Sequence, residues 1–358
     1  MVAVVAGSNQ SRILPEFFEA AFPLPVRQIA SPGFSLRKSR AISLPRSIAH
    51  ILGELPAFRR SLATLAETIR STQPDLIVNF LEPLMGVYNL LRPHAIPVLA
   101  VGHQFMLEHP AFVKVNRFPL QRFGMKQFVR LAGARSAQMA LSFYPAPDLA
   151  ARRCFVSPPI LRQQLFELRS GDDGGFLLVY LLNHGYADDI ANWSREHPRV
   201  PVHCFYDKPG APGEERHGAS LTFHRINGEK FLRLMARCRG VACTAGFESV
   251  SEAAYLGKPL LMVPVQHHLE QFLNSCDAEQ SGLGLRDDAF RLSRLLEPTD
   301  RRATFQFRNW VDQAETIAMS IVERTAASGS RATRPLRGTA RESAGEDGLR
   351  RRADNAGA

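Results

Sequence analysis

The run Val2 to Ala6 is short, wholly apolar and rich in Val, and it ends at Gly7, Ser8 and Asn9. Apolar residues with no polar alternation predict a strand buried on both faces, here a parallel-sheet strand feeding a loop. Between residues 46 and 70, Ile48, Ile51, Leu52, Leu55, Phe58, Leu62, Leu65 and Ile69 recur at steps of three and four. That spacing gathers them on one side of a helix, which Pro56 is expected to interrupt. Asp75 to Phe80 and Pro97 to Val101 predict the next two strands. Strand, loop, helix and strand in succession is the order of a parallel sheet with helices on both faces, and it accounts for residues 1–155.

Ser157, Pro158 and Pro159, followed by the cluster Gly171 to Gly175, mark residues 156–175 as an interdomain linker. The same logic then restarts. Phe176 to Leu182, Val202 to Phe205, Leu221 to Phe223, Gly240 to Cys243 and, last, Leu260 to Val263 predict the strands of a second Rossmann-like unit spanning 176–325. From Ala326 the composition turns to small, polar and charged residues, so 326–358 is expected to be a disordered tail.

A length of 358 residues fits two hydrophobic cores better than one, and 45% hydrophobic with 22% charged residues is enough to build them. The formal net charge of +10 favours partners that carry phosphate: a nucleotide, a nucleic acid or an anionic bilayer. The five cysteines are odd in number and lack metal-ligand spacing, which argues against a disulfide framework or a zinc site. The opening residues include Pro15 and Glu16, so no signal peptide is legible, and no apolar run is long enough to cross a bilayer. A cytoplasmic protein is expected.

The segment from Cys243 to Ser275 carries most of the chemistry. Ala245, Gly246 and Phe247 follow a strand and lead into Glu248, Ser249, Val250, Ser251 and Glu252, residues able to open a helix. Unpaired N–H groups at a helix start suit a diphosphate, and Gly246 permits close approach. Glu252, further along that helix, is placed to accept from two ribose hydroxyls. After the turn Gly257, Lys258 and Pro259 comes another strand, then the polar loop Gln266 to Gln271 on the ligand side of an open sheet. Glu270 and Gln271 offer adjacent groups for sugar hydroxyls. His267 and His268 are adjacent loop residues with no third ligand, so no metal is expected.

This pattern resembles the donor-binding half of the GT-B glycosyltransferases, particularly the group related to MurG and the UDP-glucuronosyltransferases. Asp75 to Pro83 (DLIVNFLEP) and Val98 to Gln104 (VLAVGHQ) extend the resemblance to the acceptor half, so it covers about residues 1–320. It implies two Rossmann-like, doubly wound parallel-sheet domains facing across a cleft. It also implies inverting, metal-independent transfer of a hexose from a nucleoside diphosphate sugar, with UDP as the nucleotide. No cofactor beyond that co-substrate is implied. The donor would meet Gly246, Ser249, Ser251 and Glu252, then Gln266, Glu270 and Gln271. Asn183, after the first strand of the second half, falls where the family touches the nucleotide; a turn role fits it equally. Family members open with a strand and a Gly-rich loop, whereas Met1 falls at their second strand, so the first domain is expected to lack both. That keeps a catalytically inactive sugar-nucleotide-binding protein as the alternative.

Inverting transfer needs a general base beside the acceptor hydroxyl. His103, just past the strand Pro97 to Val101, is the first candidate and Glu82 the second. The acceptor itself, whether lipid, glycan or small molecule, is not legible. Lys114, Arg117, Arg122, Lys126, Arg130 and Arg135 alternate with Phe112, Phe118, Leu120, Phe123, Met125 and Phe128. That interleaving fits a segment lying on the inner face of an anionic membrane and, somewhat better, a cleft-facing basic helix with a buried aromatic side. No recognition-helix or RNA-binding motif accompanies the positive charge, so a specific nucleic acid is not expected.

Overall fold

The computed structural model describes residues 1–8, 22–32, 36–37, 41–42, 53–168, 174–182, 184–298 and 302–332. Strands β1 (Val4–Ser8) and β2 (Val26–Ala30) pair in parallel. The two-residue strands β3 (Leu36–Arg37) and β4 (Ala41–Ile42) form a small antiparallel ladder. Helix α1 (Leu55–Thr72) contains Pro56 in its first turn rather than at a break, because the amide that proline lacks has no helical partner there. Residues 43–52, where the expected helical stretch begins, lie outside the described residues.

Strands β5 (Ile77–Asn79), β6 (Val98–Gly102), β7 (Ala137–Leu141) and β8 (Cys154–Ser157) form a parallel sheet in chain order. Helices α2 (Pro83–Leu91) and α3 (Pro119–Ala132) connect its strands. The β1–β2 pair stands on the β5 side of this sheet. A Cβ on Gly7, in β1, would lie 2.1 Å from Glu82 Oε2, just beyond β5. Ile29 of β2 packs with Phe58 and Leu65 of α1 and Leu84 and Tyr88 of α2.

After α4 (Gln163–Glu167) the second sheet runs in the order β11-β12-β10-β9-β13-β14-β15. Its strands are β9 (Leu177–Leu181), β10 (Val202–Tyr206), β11 (Glu214–His217), β12 (Leu221–Arg225), β13 (Gly240–Cys243), β14 (Leu260–Met262) and β15 (Leu285–Arg286). Every pairing is parallel except the edge pair β11–β12. Alternate residues of β9 serve opposite faces, as a pleated strand requires. Leu177, Val179 and Leu181 pack with Ile190 and Trp193 of α5 (Ala187–Glu196). Leu178 packs with Phe231 and Met235 of α6 (Gly228–Arg237) and Val250 of α7 (Phe247–Tyr255). From β9 the sheet grows one way to β10 and the other way to β13, so its switch point lies between β9 and β13.

Helix α8 (Leu269–Gln280) follows β14, and α9 (Arg302–Val311) and α10 (Ala314–Ala332) end the described chain. These last helices return to the first sheet. Trp310 Nε1 donates to the Ser142 carbonyl at 3.0 Å, and Ile321 packs with Leu99, Val101, Ala137 and Met139. The stretch 314–325 therefore packs on the first unit, not within the second, and residues 326–332 are helical where a tail was expected. The rest of that tail, 333–358, lies outside the described residues. No helix among the described residues is long and apolar enough to cross a membrane.

Candidate active site

In an open parallel sheet, the crevice beyond the strand carboxyl ends at the switch point is where ligands bind. Here β13 ends at Cys243 and enters α7 through a tight turn. Ala245 takes a left-handed φ of 59°, a conformation that costs a residue with a side chain. The turn is braced by Asn274 of α8, whose Nδ2 donates to the Ala245 carbonyl at 3.2 Å. Gly246 is the N-cap, and no side chain caps the helix. A Cβ on Gly246 would meet no atom within 4 Å, so no neighbouring group crowds this N-cap position, and uncapped N–H groups at a helix start suit an anion.

The residues of α7 point different ways. Ser249 is half-buried in the first turn. Ser251 is fully buried, and its hydroxyl donates to the Phe247 carbonyl at 2.8 Å, within its own helix. Glu252, 3% exposed, accepts from Arg162 at both oxygens: Nε to Oε1 at 2.6 Å and Nη2 to Oε2 at 2.7 Å. Arg162 immediately precedes α4, in the connection between the two sheets.

Beyond β14, Gln266 is exposed and its amide donates to the Tyr186 hydroxyl at 3.2 Å. Gln271 is buried; its Oε1 accepts from the Val265 amide at 2.9 Å and so shapes the loop itself. His268 caps α8 through its ring nitrogen. Glu270 reaches across to the first half, accepting from Gln104 Nε2 at 2.8 Å, and burial raises its carboxyl above the usual range. Asn183 lies outside the described residues.

From the first half, β6 leads into a 3-10 turn, His103–Glu108, that meets this region. The His103 ring is 3% exposed and stacks on Phe247 with centroids 4.1 Å apart and planes at 17°. Its Nδ1 lies 2.7 Å from the Leu141 carbonyl, an acceptor, so Nδ1 carries the proton and Nε2 the lone pair. Among the described residues Nε2 is buried without a hydrogen-bond partner. Burial holds the imidazole down to about 4, so it is neutral at pH 7. Glu82 caps α2, accepting from the Leu84 amide at 3.0 Å and from Ser31 Oγ at 2.8 and 2.9 Å. Burial raises its carboxyl against those two donors.

The structure thus brings Gly246, Ser249 and Glu252 onto one helix, and His103 and Glu270 to its border with the first sheet. It turns Ser251 and Gln271 toward backbone partners and leaves Glu82 on the β1–β5 side. Arg162, Phe247 and Asn274 were given no role by the sequence. Asn274 lies inside the informative segment, but nothing in the local spacing marks Arg162, which meets Glu252 only through the fold.

Among the described residues no group of three or more His, Cys, Asp or Glu side chains could hold a metal ion. Two parallel-sheet units whose strand-end loops meet in this way have the architecture called GT-B. The family described as "Glycosyl transferase family 1" matches residues 24–297, and the chain belongs to it. A comparison with curated protein sequences gives no match. Among solved structures, Phytolacca americana UGT2 complexed with UDP-2fluoro-glucose and pterostilbene is similar over 92% of this chain and 93% of that one, with a TM-score of 0.57 at 13% identity. Arabidopsis thaliana UGT89C1 complexed with quercetin covers 92% of each chain, with a TM-score of 0.56 at 15% identity. The calicheamicin glycosyltransferase CalG4 covers 93% of this chain and 92% of its own, with a TM-score of 0.57 at 13% identity.

Proposed function

We propose that this chain transfers a hexose from a nucleoside diphosphate sugar, with UDP as the nucleotide, to an acceptor hydroxyl held by the first unit, with inversion and without a metal. The observation that carries this reading is the meeting of the His103–Gln104 turn with Phe247 and Glu270 beside the open, uncapped start of α7. The diphosphate occupies that helix start, beside Gly246 and Ser249. The ribose hydroxyls donate to Glu252, and Glu270, Gln266 and Gln271 line the hexose side.

In an inverting displacement the acceptor oxygen forms its bond to the anomeric carbon as the bond to the diphosphate breaks, and a base takes the acceptor proton. Nε2 of His103 has the lone pair for that step. The acceptor reaches it only when the halves part, because Phe112, Phe143 and Phe247 enclose the ring. Glu82 is the second candidate for the base. The enclosure of His103 also favours one alternative, a sugar-nucleotide-binding protein without turnover.

The test is calorimetric titration with UDP, GDP and their hexose conjugates, alongside assays of donor hydrolysis. Saturable binding with hydrolysis, weakened by Glu252→Ala, supports the transferase. Binding without turnover selects the alternative, and unchanged affinity in Glu252→Ala removes the donor-site assignment.

An anionic bilayer of the cytoplasmic face remains a partner within this proposal. On α3, Leu120 is 76% and Phe123 61% exposed, while Phe112 is buried and Phe118, Met125 and Phe128 pack inward. Several cations nearby are already engaged: Arg130 pairs with Glu108 at 2.6 Å, and Arg117 lies over Phe118 and Phe272. Sedimentation with anionic liposomes at low salt, lost in Phe123→Ser, supports the surface; no sedimentation removes it.

A further inference from the structure

Arg162 holds the most enclosed carboxylate of the donor helix, and it comes from outside that helix. A buried carboxylate is costly unless its charge is matched and its oxygens are hydrogen-bonded, and the planar fork of an arginine does both at once. The two bonds at 2.6 and 2.7 Å occupy one acceptor direction on each oxygen of Glu252. A carboxylate offers about four such directions, so one on each oxygen remains for a pair of vicinal hydroxyls.

The position of Arg162 has a second distinguishing feature. A Cβ on Gly228, the first residue of α6, would lie 3.0 Å from Arg162 Nη1, so the guanidinium passes close over that helix start. A helix start is the positive end of its dipole and disfavours a cation. The attraction that keeps Arg162 there is therefore Glu252, not α6. Glu252 in turn lies six residues past Gly246, about 9 Å along the helix axis. Unneutralised, its charge would oppose a diphosphate at the start of α7.

We infer that Arg162 is a positioning residue for the nucleotide, fixing Glu252 to receive the ribose hydroxyls and cancelling its charge so that the diphosphate can bind. The inference rests on the assignment of Glu252 to the ribose. It ties the donor site to the connection between the two sheets, because Arg162 belongs to that connection.

Titration with UDP and with 2′,3′-dideoxy-UDP tests it in the full chain. Wild type prefers UDP, because only UDP offers hydroxyls to Glu252. In Arg162→Gln the affinity for UDP falls by about tenfold or more, and the preference over the dideoxy compound disappears. Arg162→Lys, which restores the charge without the fork, recovers affinity for the dideoxy compound more fully than it recovers the preference. Circular dichroism and thermal melting confirm folding of both variants. If Arg162→Gln does not fold, Arg162→Lys alone decides, since full retention of the preference in it overturns the inference. Retention of the preference in Arg162→Gln, or an equal loss for both ligands, also overturns it. A wild-type chain that shows no preference, or a Glu252→Gln variant that keeps it, overturns the ribose assignment instead.

Discussion

The imidazole of His103 and the phenyl ring of Phe247 lie 4.1 Å apart and nearly parallel, and they belong to different halves of the chain. The stack closes the space in which an acceptor hydroxyl would meet Nε2. It also keeps the ring neutral, because an imidazolium would be stranded among Phe112, Phe143 and Phe247.

Replacing His103 by Gln keeps a donor for the Leu141 carbonyl and removes the base. Turnover is expected to fall by about 10²–10⁴-fold with nucleotide affinity unchanged. Burial lowers the enclosed imidazole from 6.5 to about 4, so an acid limb of kcat near 4 means that the ring stays covered during turnover, and one near 6.5 means that parting of the halves uncovers it. Steady-state kinetics from pH 3.5 to 8 checks both. Undiminished turnover in His103→Gln passes the role to Glu82.

Gln104 and Glu270 join the halves by a side-chain bond of 2.8 Å. Gln104→Ala leaves the Glu270 carboxylate buried with its donor gone, which is costlier than removing both groups. In a double-mutant cycle with Glu270→Ala, measured by urea unfolding, a coupling of about 0.5–3 kcal/mol is expected. Additive effects would mean that the bond does not hold the halves together.

Asp277 of α8 accepts at Oδ1 from the Tyr144 hydroxyl at 2.9 Å and the Val113 amide at 3.4 Å, both from the first half, while its other oxygen has no partner among the described residues. Burial outweighs these bonds and pushes the carboxyl up from 3.8 to about 6. The folded chain therefore holds this proton more tightly than the unfolded chain. The resulting stability is fully present below pH 3.8 and lost as the pH rises through 6. Relative to Asp277→Asn, wild type should lose about 2–3 kcal/mol between pH 4 and 7 in denaturant titrations. A difference independent of pH would refute the assignment.

Gly86 tests packing away from the site. A Cβ there would lie 1.7 Å from the Leu131 carbonyl, so α2 and α3 cross at a distance only glycine allows. Gly86→Ala should destabilise the first unit by about 1–3 kcal/mol, measured by thermal melting, because α2 must shift.

Pro97 to Val101 and most of the second sheet were legible because buried parallel strands are nearly continuous apolar runs; Asp75 to Phe80 has the same run although Val78 and Phe80 are exposed. The edge strand β11, Glu214–His217, was not legible, since all four of its residues are exposed and carry no such run. Strand β15, Leu285–Arg286, has only two residues and no pattern to read. Within Cys243 to Ser275, the open helix start at Gly246 followed from local order alone.

The sequence by itself determined most of the parallel strands and the helix start at Gly246, because strand burial and helix starts are written in neighbouring residues. The tertiary structure decided what those side chains face. Ser251 and Glu252 are adjacent on α7, yet one bonds to its own helix and the other to Arg162, 90 residues earlier. Likewise Gln104 meets Glu270, 166 residues later. Local spacing fixes the direction of a side chain around its helix, but a partner that distant is set only by how the two sheets and their connection pack together.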